Sequence, residues 1–296
     1  MATPSMANQP YCGRFAPTPS GPLHFGSLVA ALASYLDAKA HAGRWLVRIE
    51  DIDEPRAVAG ADQVILQQLE RFGLHWDGDV IYQSQRKERY RQALAELQQQ
   101  QLTYPCNCTR KQIKARGEYY TGHCRAGVEG PGPYAIRYLN QTPVMAFTDG
   151  IQGEVNIAPA VAGEDFVLLR RDGWFTYQLA VVIDDIDQGV TDIVRGADLL
   201  TATSWQINLW RHFSQRQPHF KHIPLALDEQ GQKLSKQNHA PALNPQQVSE
   251  QLWQACQFLQ LTEVPLTNPA DLLSLATQAW RAKFFPETSA QDTITR

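Results

Sequence analysis

The sequence has no apolar run of the roughly 18 residues that a membrane-spanning helix needs, so no membrane contact is expected. It has no excess of positive charge: 27 Lys and Arg stand against 30 Asp and Glu, a net charge of −3. A protein that coats nucleic acid is basic. That class is excluded, and any RNA partner has to be met by a local patch. Cysteines are few, five in 296 residues, and three of them fall between positions 106 and 124. This is no disulfide framework; it points to a reducing compartment, the cytoplasm, and to a metal site. Residues 1–10 lack the basic start and apolar core of a secretion signal. No internal repeat or low-complexity tract stands out. The remaining composition, 43% hydrophobic and 19% charged, suits one large domain with an insertion or appendage.

The pattern along the chain is that of an α/β protein. Residues 11–16 read as a short buried strand, and the proline-rich segment 17–22 cannot continue it. Residues 26–42 carry Leu28, Leu32, Tyr35 and Leu36 on one helical face, with Gly43 as a stop. Residues 44–50 read as a second strand, and 60–73 and 86–101 as amphipathic helices. Strand, loop, helix, strand is the beginning of a parallel sheet. From 104 to about 162 the texture changes to cysteines, glycines and short strand-like runs, an insertion. The parallel sheet is expected to resume at 165–169 and 188–194, on either side of the apolar stretch 179–183. A helix over 201–213 follows, and after position 238 one clear helix, 248–261, with only weak signals beyond it.

Two short motifs carry the chemistry. His24-Phe25-Gly26-Ser27 stands where a loop enters a helix. A helix start offers N–H groups and the positive end of a dipole, which favour anions. Gly26 lets a phosphate approach the backbone, and His24 can donate to it. Lys233-Leu234-Ser235-Lys236 follows Gly231 in a polar stretch, where two lysines can stabilise charge on a departing pyrophosphate. Each motif alone also reads as a plain surface loop. The third constellation is Cys106, Cys108 and Cys124, three thiolates for a tetrahedral zinc ion. Residue type alone nominates His123 as the fourth ligand.

The order and surroundings of the two motifs resemble the ATP-handling signatures of the class I aminoacyl-tRNA synthetases. Arg14-Phe15-Ala16-Pro17 before the first motif resembles the glutamate-specific branch. The family motif continues past Lys236 with Arg or Ser where this chain has Gln237, outside the two lysines. The resemblance implies a Rossmann-type parallel-sheet catalytic domain. It implies ATP, brought with Mg²⁺, at His24, Gly26, Ser27 and Lys236, with His24, Lys233 and Lys236 catalytic. It also implies a glutamate pocket of Arg14, Ala16, Thr18, Glu50, Tyr177 and Arg195, with Thr18 where serine is usual. The charges agree: two arginines and one acid complement the two carboxylates and one ammonium of glutamate. Glu50 also reads as a structural ion pair with Arg48 or Arg56, and Asp51, Asp53 and Glu54 read as loop charges.

The spacing Cys106-x-Cys108, Tyr120, Cys124 resembles one synthetase-like family in which tyrosine is the fourth ligand, which nominates Tyr120 against His123. The chain after residue 238 is short for the anticodon-reading domain of a tRNA-charging relative. The resemblance therefore settles on the glutamyl-queuosine tRNA(Asp) synthetases, which activate L-glutamate and place it on queuosine in the anticodon arm of tRNA(Asp). Expected partners are L-glutamate, ATP and that tRNA arm, with a monomeric protein. Alternatives are a minimal glutamyl-tRNA synthetase charging the tRNA 3′ end, a small-metabolite adenylyltransferase, and a non-catalytic tRNA-binding paralogue. The domains expected are 11–103 and 165–240 as two halves of the catalytic domain, 104–164 as the zinc insertion, and 241–296 as a small helical region.

Overall fold

The computed structural model describes residues 10–52, 56–227 and 241–285. Its centre is a set of short parallel strands. β1 (Cys12–Phe15) pairs with β2 (Arg44–Ile49), and β2 with β3 (Ile81–Tyr82), all parallel. On the other side β9 (Asp192–Gly196) pairs in parallel with β10 (His219–Ile223) and packs beside β1. The Thr191 N–H donates to the Cys12 carbonyl there, at 2.9 Å. The strand order is therefore β3, β2, β1, β9, β10. The chain leaves β1 in one direction and returns to the opposite side. The carboxyl ends of β1 and β9 flank this change of direction, which is where open α/β sheets bind ligands.

α1 (Phe25–Ala40) is buried along most of its length because both sides are covered. One side lies on β1, β2 and β9; the other meets α8 (Val248–Phe258) and α9 (Pro269–Phe284). Such a helix must be apolar almost all round, and Leu28, Val29, Leu32 and Leu36 are all at most 1% exposed. Its one buried acid, Asp37, is satisfied from three directions. Tyr11 Oη donates to it at 2.5 Å, Lys221 Nζ at 2.7 Å and Trp280 Nε1 at 2.8 Å. These bonds tie β1, β10 and α9 to α1. The helix ends with Ala42 in the left-handed region (φ 51°), not at Gly43. Gly43 is needed for another reason: a Cβ there would lie 2.6 Å from Tyr11 Cβ and from its carbonyl oxygen.

α2 (Ala61–Arg71) connects β2 to β3, and between the two halves of the parallel sheet lie α3 (Lys87–Gln99) and then a region of antiparallel pairs. β4 (Thr103–Cys106), β5 (Ala135–Tyr138) and β8 (Val167–Leu169) form one sheet, with α4 (Arg110–Arg116) above it in sequence. β6 (Ala146–Asp149) and β7 (Gly153–Asn156) form a hairpin against β10, and α5 (Pro159–Ala162) follows. The reading of residues 165–169 as a resumed parallel strand is thus corrected. That segment is the antiparallel edge partner of β5. An apolar run of three to five residues looks the same in either kind of sheet, and only its partner decides. α6 (Tyr177–Asp187) contains the apolar stretch 179–183, and α7 (Leu200–Trp210) lies behind it.

A second correction concerns the tail, where the sequence gives only weak signals after residue 261. α9 is one of the two longest helices among the described residues. Two of the five residues in its buried stripe, Leu272, Leu273, Ala276, Ala279 and Trp280, are alanine, so its periodicity is faint. Its start is well marked all the same. Asn268 caps it by accepting from the Asp271 N–H at 3.1 Å, and Pro269 occupies the first turn.

Candidate active site

The residues expected to hold an amino acid converge. Arg14, Ala16, Thr18, Glu50, Tyr177 and Arg195 all line one cavity of about 680 Å³. The fold explains this. Arg14 stands at the end of β1, Glu50 just after β2 and Arg195 near the end of β9, so three neighbouring strands present them together. Tyr177 opens α6. The loop carrying Ala16 and Thr18 is held across the end of β2 by backbone bonds, Glu50 N to Pro17 O at 3.0 Å and Val58 N to Pro19 O at 2.9 Å.

The charges are arranged unequally. Arg14 is 3% exposed and grips Asp185 with two bonds, Nε to Oδ1 at 3.0 Å and Nη2 to Oδ2 at 3.2 Å. The wholly buried Arg48 reaches the same carboxylate at 2.8 Å, the Gln188 side chain at 2.6 Å and Glu50 Oε1 at 3.3 Å. Burial works against the Asp185 carboxylate, but Arg14 and Arg48 together hold it below the usual range. Burial pushes the Glu50 carboxyl up to about 7, with Arg48 and Arg14 opposing. Glu50 therefore lines the cavity and also forms the ion pair with Arg48. Asp51 is more than a loop charge: it accepts from Ser84 N at 2.8 Å and Ser84 Oγ at 2.6 Å. Asp53 and Glu54 lie outside the described residues.

Arg195 is also buried, and its partners are neutral. Its guanidinium donates to Tyr177 Oη at 3.2 Å, Thr203 Oγ1 at 2.7 Å, Gln206 Oε1 at 2.6 Å and His222 Nε2 at 3.1 Å. Among the described residues no carboxylate bonds to it. Burial pulls its guanidinium below the ordinary value, with Tyr177 opposing, and arginine still stays charged. Arg195 is thus a buried cation of this cavity with no bonded acid among the described residues.

A second cavity, about 640 Å³, shares Phe15, Thr18, Ala30, Arg56, Asp198 and Leu199 with the first. His24, Gly26 and Ser27 line it. His24 caps α1, its Nδ1 accepting from the Ser27 N–H at 3.3 Å. In a neutral ring this puts the proton on Nε2, which makes that nitrogen a donor. Lys233 and Lys236 lie outside the described residues. A larger cavity, about 1110 Å³, lies elsewhere, between α1, α2 and α9, and none of these residues lines it.

Cys106, Cys108 and Cys124 come together with their sulfurs within 4.8 Å of one another. Cys108 Sγ and Cys124 Sγ are 3.5 Å apart, near the roughly 3.8 Å edge of a tetrahedron with zinc–sulfur bonds of about 2.3 Å. The Tyr120 hydroxyl sits in the same cluster, accepting from Cys124 N at 2.8 Å and touching Cys106. Tyr120 is 4% exposed, whereas His123 is exposed. The three thiols fit a metal ion, and the Tyr120 hydroxyl is the oxygen donor placed beside them. Arg137 stacks on the Tyr120 ring at 3.7 Å, where its charge favours the phenolate a metal would need.

Sequence reasoning missed Asp184, Asp185, His222 and Asp149 behind this surface, and it named Arg48 only as a partner for Glu50. One signal was present. Asp184 and Asp185 interrupt an apolar helix, and buried carboxylates require cations. Asp184 finds Arg86 at 2.6 Å, Gln83 at 2.9 Å and Tyr90 at 2.8 Å.

Residues 12–262 match the family model described as the catalytic domain of class I tRNA synthetases (E and Q). A "Glutamyl-Q tRNA(Asp) synthetase" of Idiomarina loihiensis is 52% identical over 277 residues, 93% of this chain and 98% of that one. The protein of the same name from Escherichia coli K12 is 53% identical over 287 residues, 96% of this chain and 93% of that one. A crystal structure of the glutamate-tRNA synthetase of Elizabethkingia anophelis superposes with a TM-score of 0.74 at 23% identity, over 91% of this chain. The chain spans 66% of that structure's length. The shared fold, the matched catalytic domain and the similarity along nearly the whole chain place this protein in the class I glutamyl- and glutaminyl-type tRNA synthetase family.

Proposed function

We propose that this protein activates L-glutamate with ATP and transfers it to queuosine of tRNA(Asp), the reading that its glutamyl-Q tRNA(Asp) synthetase relatives support. The observation that supports the amino acid is the cavity holding Arg14, Glu50 and Arg195. Glutamate brings two carboxylates and one ammonium, which two guanidiniums and one carboxylate complement. Glutamine would leave an arginine without its anion.

In this reading ATP, with Mg²⁺, occupies the adjoining cavity at His24, Gly26 and Ser27. A carboxylate oxygen of glutamate attacks the α-phosphorus, the bond to the β,γ-unit breaks, and pyrophosphate leaves. The His24 Nε2–H donates to phosphate oxygen as negative charge develops. Lys233 and Lys236 stabilise the leaving group, each such donor contributing roughly 10²–10³ in rate. The product is a mixed anhydride. A hydroxyl of the queuosine cis-diol attacks its carbonyl carbon, an ester forms, and AMP departs with the proton balance closed by solvent. Cys106, Cys108, Tyr120 and Cys124 would hold a zinc ion, which would serve a structural role by joining the end of β4 to the loop after α4. No described helix is long and apolar enough to cross a membrane. The tRNA substrate places the enzyme in the cytoplasm, and the reading takes it as a monomer.

Three outcomes test this. Labelled glutamate is expected on tRNA(Asp) that contains queuosine, with nuclease mapping placing it in the anticodon stem-loop. Label on the 3′-terminal adenosine, independent of queuosine, would instead make this a minimal glutamyl-tRNA synthetase. Metal analysis is expected to find about one zinc per chain, lost in Cys108→Ser and in Tyr120→Phe but kept in His123→Ala. A metal-free preparation of full stability and activity contradicts the zinc assignment. The third outcome concerns pH. Glu50 must be ionised to receive the substrate ammonium, and its carboxyl sits at about 7. As pH falls through 7 the free enzyme takes up that proton, so the KM for glutamate in ATP–pyrophosphate exchange should rise about five- to tenfold per pH unit. A KM that is flat between about pH 5.5 and 7.5 would show that Glu50 does not bind the ammonium.

A further inference from the structure

Behind Arg195 lies a buried chain that the reaction as described does not use. His222, in β10, is fully buried. Its Nδ1 is 2.6 Å from Asp149 Oδ2, and its Nε2 is 3.1 Å from Arg195 Nε. A guanidinium nitrogen can only donate. Nε2 must therefore accept and carry no proton, and the single imidazole proton sits on Nδ1, donated to Asp149. Burial keeps His222 below its ordinary value against the pull of Asp149, which favours this neutral ring. Asp149 is itself locked. Its Oδ1 accepts the backbone N–H groups of Ile151 and Gln152 at 2.9 Å each and of His222 at 3.1 Å. The remaining partners of Arg195 are fixed too. The Thr203 hydroxyl donates to Leu199 O at 2.9 Å, so it presents a lone pair to Arg195, although it also lies 3.1 Å from His222 Nε2. Gln206 is oriented by its amide NH₂, which donates to Gln178 Oε1 at 2.9 Å.

We infer that Asp149 and His222 form a positioning unit that holds Arg195 as an oriented cation with no acid bonded to it, aimed at a carboxylate of the amino-acid substrate. This rests on the proposed reading of Arg195 as a glutamate-binding residue. The logic is visible by contrast with Arg14. There a carboxylate, Asp185, bonds the guanidinium directly and offsets its charge. At Arg195 an imidazole stands between the cation and the acid. The ring supplies the acceptor that fixes the Nε edge, while the negative charge of Asp149 is held one ring further away. The positive charge is left for the ligand. Asp149, Asp198 and Arg195 are the charged groups that act on His222; Tyr177, Arg14, Asp185 and Glu50 are those around Arg195. Asp149 closes β6, inside the stretch that the sequence assigns to the zinc insertion. That segment therefore contributes to the amino-acid site from behind.

Asp149→Asn tests the idea. Three backbone N–H groups require the amide oxygen at the Oδ1 position, so the amide NH₂ faces His222 Nδ1. The imidazole must then switch tautomer and set an Nε2–H against the Arg195 Nε–H. Losing one hydrogen bond to a charged group should raise the KM for glutamate in ATP–pyrophosphate exchange roughly tenfold or more. The KM for ATP should change less than about twofold, since this bond lies behind the amino-acid cavity. Nitrogen-15 NMR should show His222 protonated on Nδ1 in the native protein and on Nε2 in the variant. A folded variant with the switched tautomer and an unchanged glutamate KM overturns the proposal. Should Asp149→Asn not fold, His222 variants decide. His222→Gln keeps a donor and an acceptor and should stay near the native KM, while His222→Leu should not; equal values for the two overturn the proposal. Arg195→Lys separates the two levels. If it leaves the glutamate KM unchanged, the reading of the pocket itself fails. If it raises the KM while Asp149→Asn does not, only the positioning role fails.

Discussion

Asp185 is the residue on which the site depends. It is 1% exposed in the last turn of α6, and a lone carboxylate there would be strongly destabilising. Two guanidiniums from two different strands, Arg14 of β1 and Arg48 of β2, satisfy it. Breaking such a pair by removing one partner costs about 3–5 kcal/mol, because the other charge stays buried. The same bonds hold α6 to the sheet and fix Arg14 at the cavity wall. Through Arg48 they also reach Glu50, whose carboxyl is pushed towards neutrality by burial and drawn back by that guanidinium. Folding and substrate electrostatics are thus one network.

The topology puts this network where a ligand can use it. β2 and β3 lie to one side of β1, β9 and β10 to the other, so a crevice opens at the carboxyl ends of β1 and β9. Arg14 and Arg195 flank that crevice, and their environments differ. Arg14 is bonded to Asp185, which partly offsets its charge; Arg195 is held by neutral acceptors and keeps its charge in full. A pocket built this way discriminates through the buried cation it would leave unmatched, which is a stronger penalty than the loss of an apolar contact.

The parts of this account that local chemistry encodes were legible in the sequence. His24, Gly26 and Ser27 mark the start of α1, and the three cysteines are the ones the fold brings together. The pocket residues were placed by resemblance, and the cavity gathers them. Asp185 was not legible. Its partners Arg14 and Arg48 stand 171 and 137 residues away, and helical periodicity assigns a buried face to apolar side chains. Asp149 and His222 are 73 residues apart and belong to elements whose pairing no local pattern specifies. β8 was misread for the same reason, since an apolar run does not record its partner. α9 was faint because alanine carries much of its buried stripe, though Asn268 and Pro269 mark its start.

The central claim is that an uncompensated buried cation selects a second carboxylate on the substrate. ATP–pyrophosphate exchange with glutamate and glutamine, compared as kcat/KM on the same native enzyme, tests it most directly. A site built to pair charge should favour glutamate by about 10³ or more, the scale seen when a buried polar group is left unmatched. Comparable exchange with the two amino acids would contradict the account.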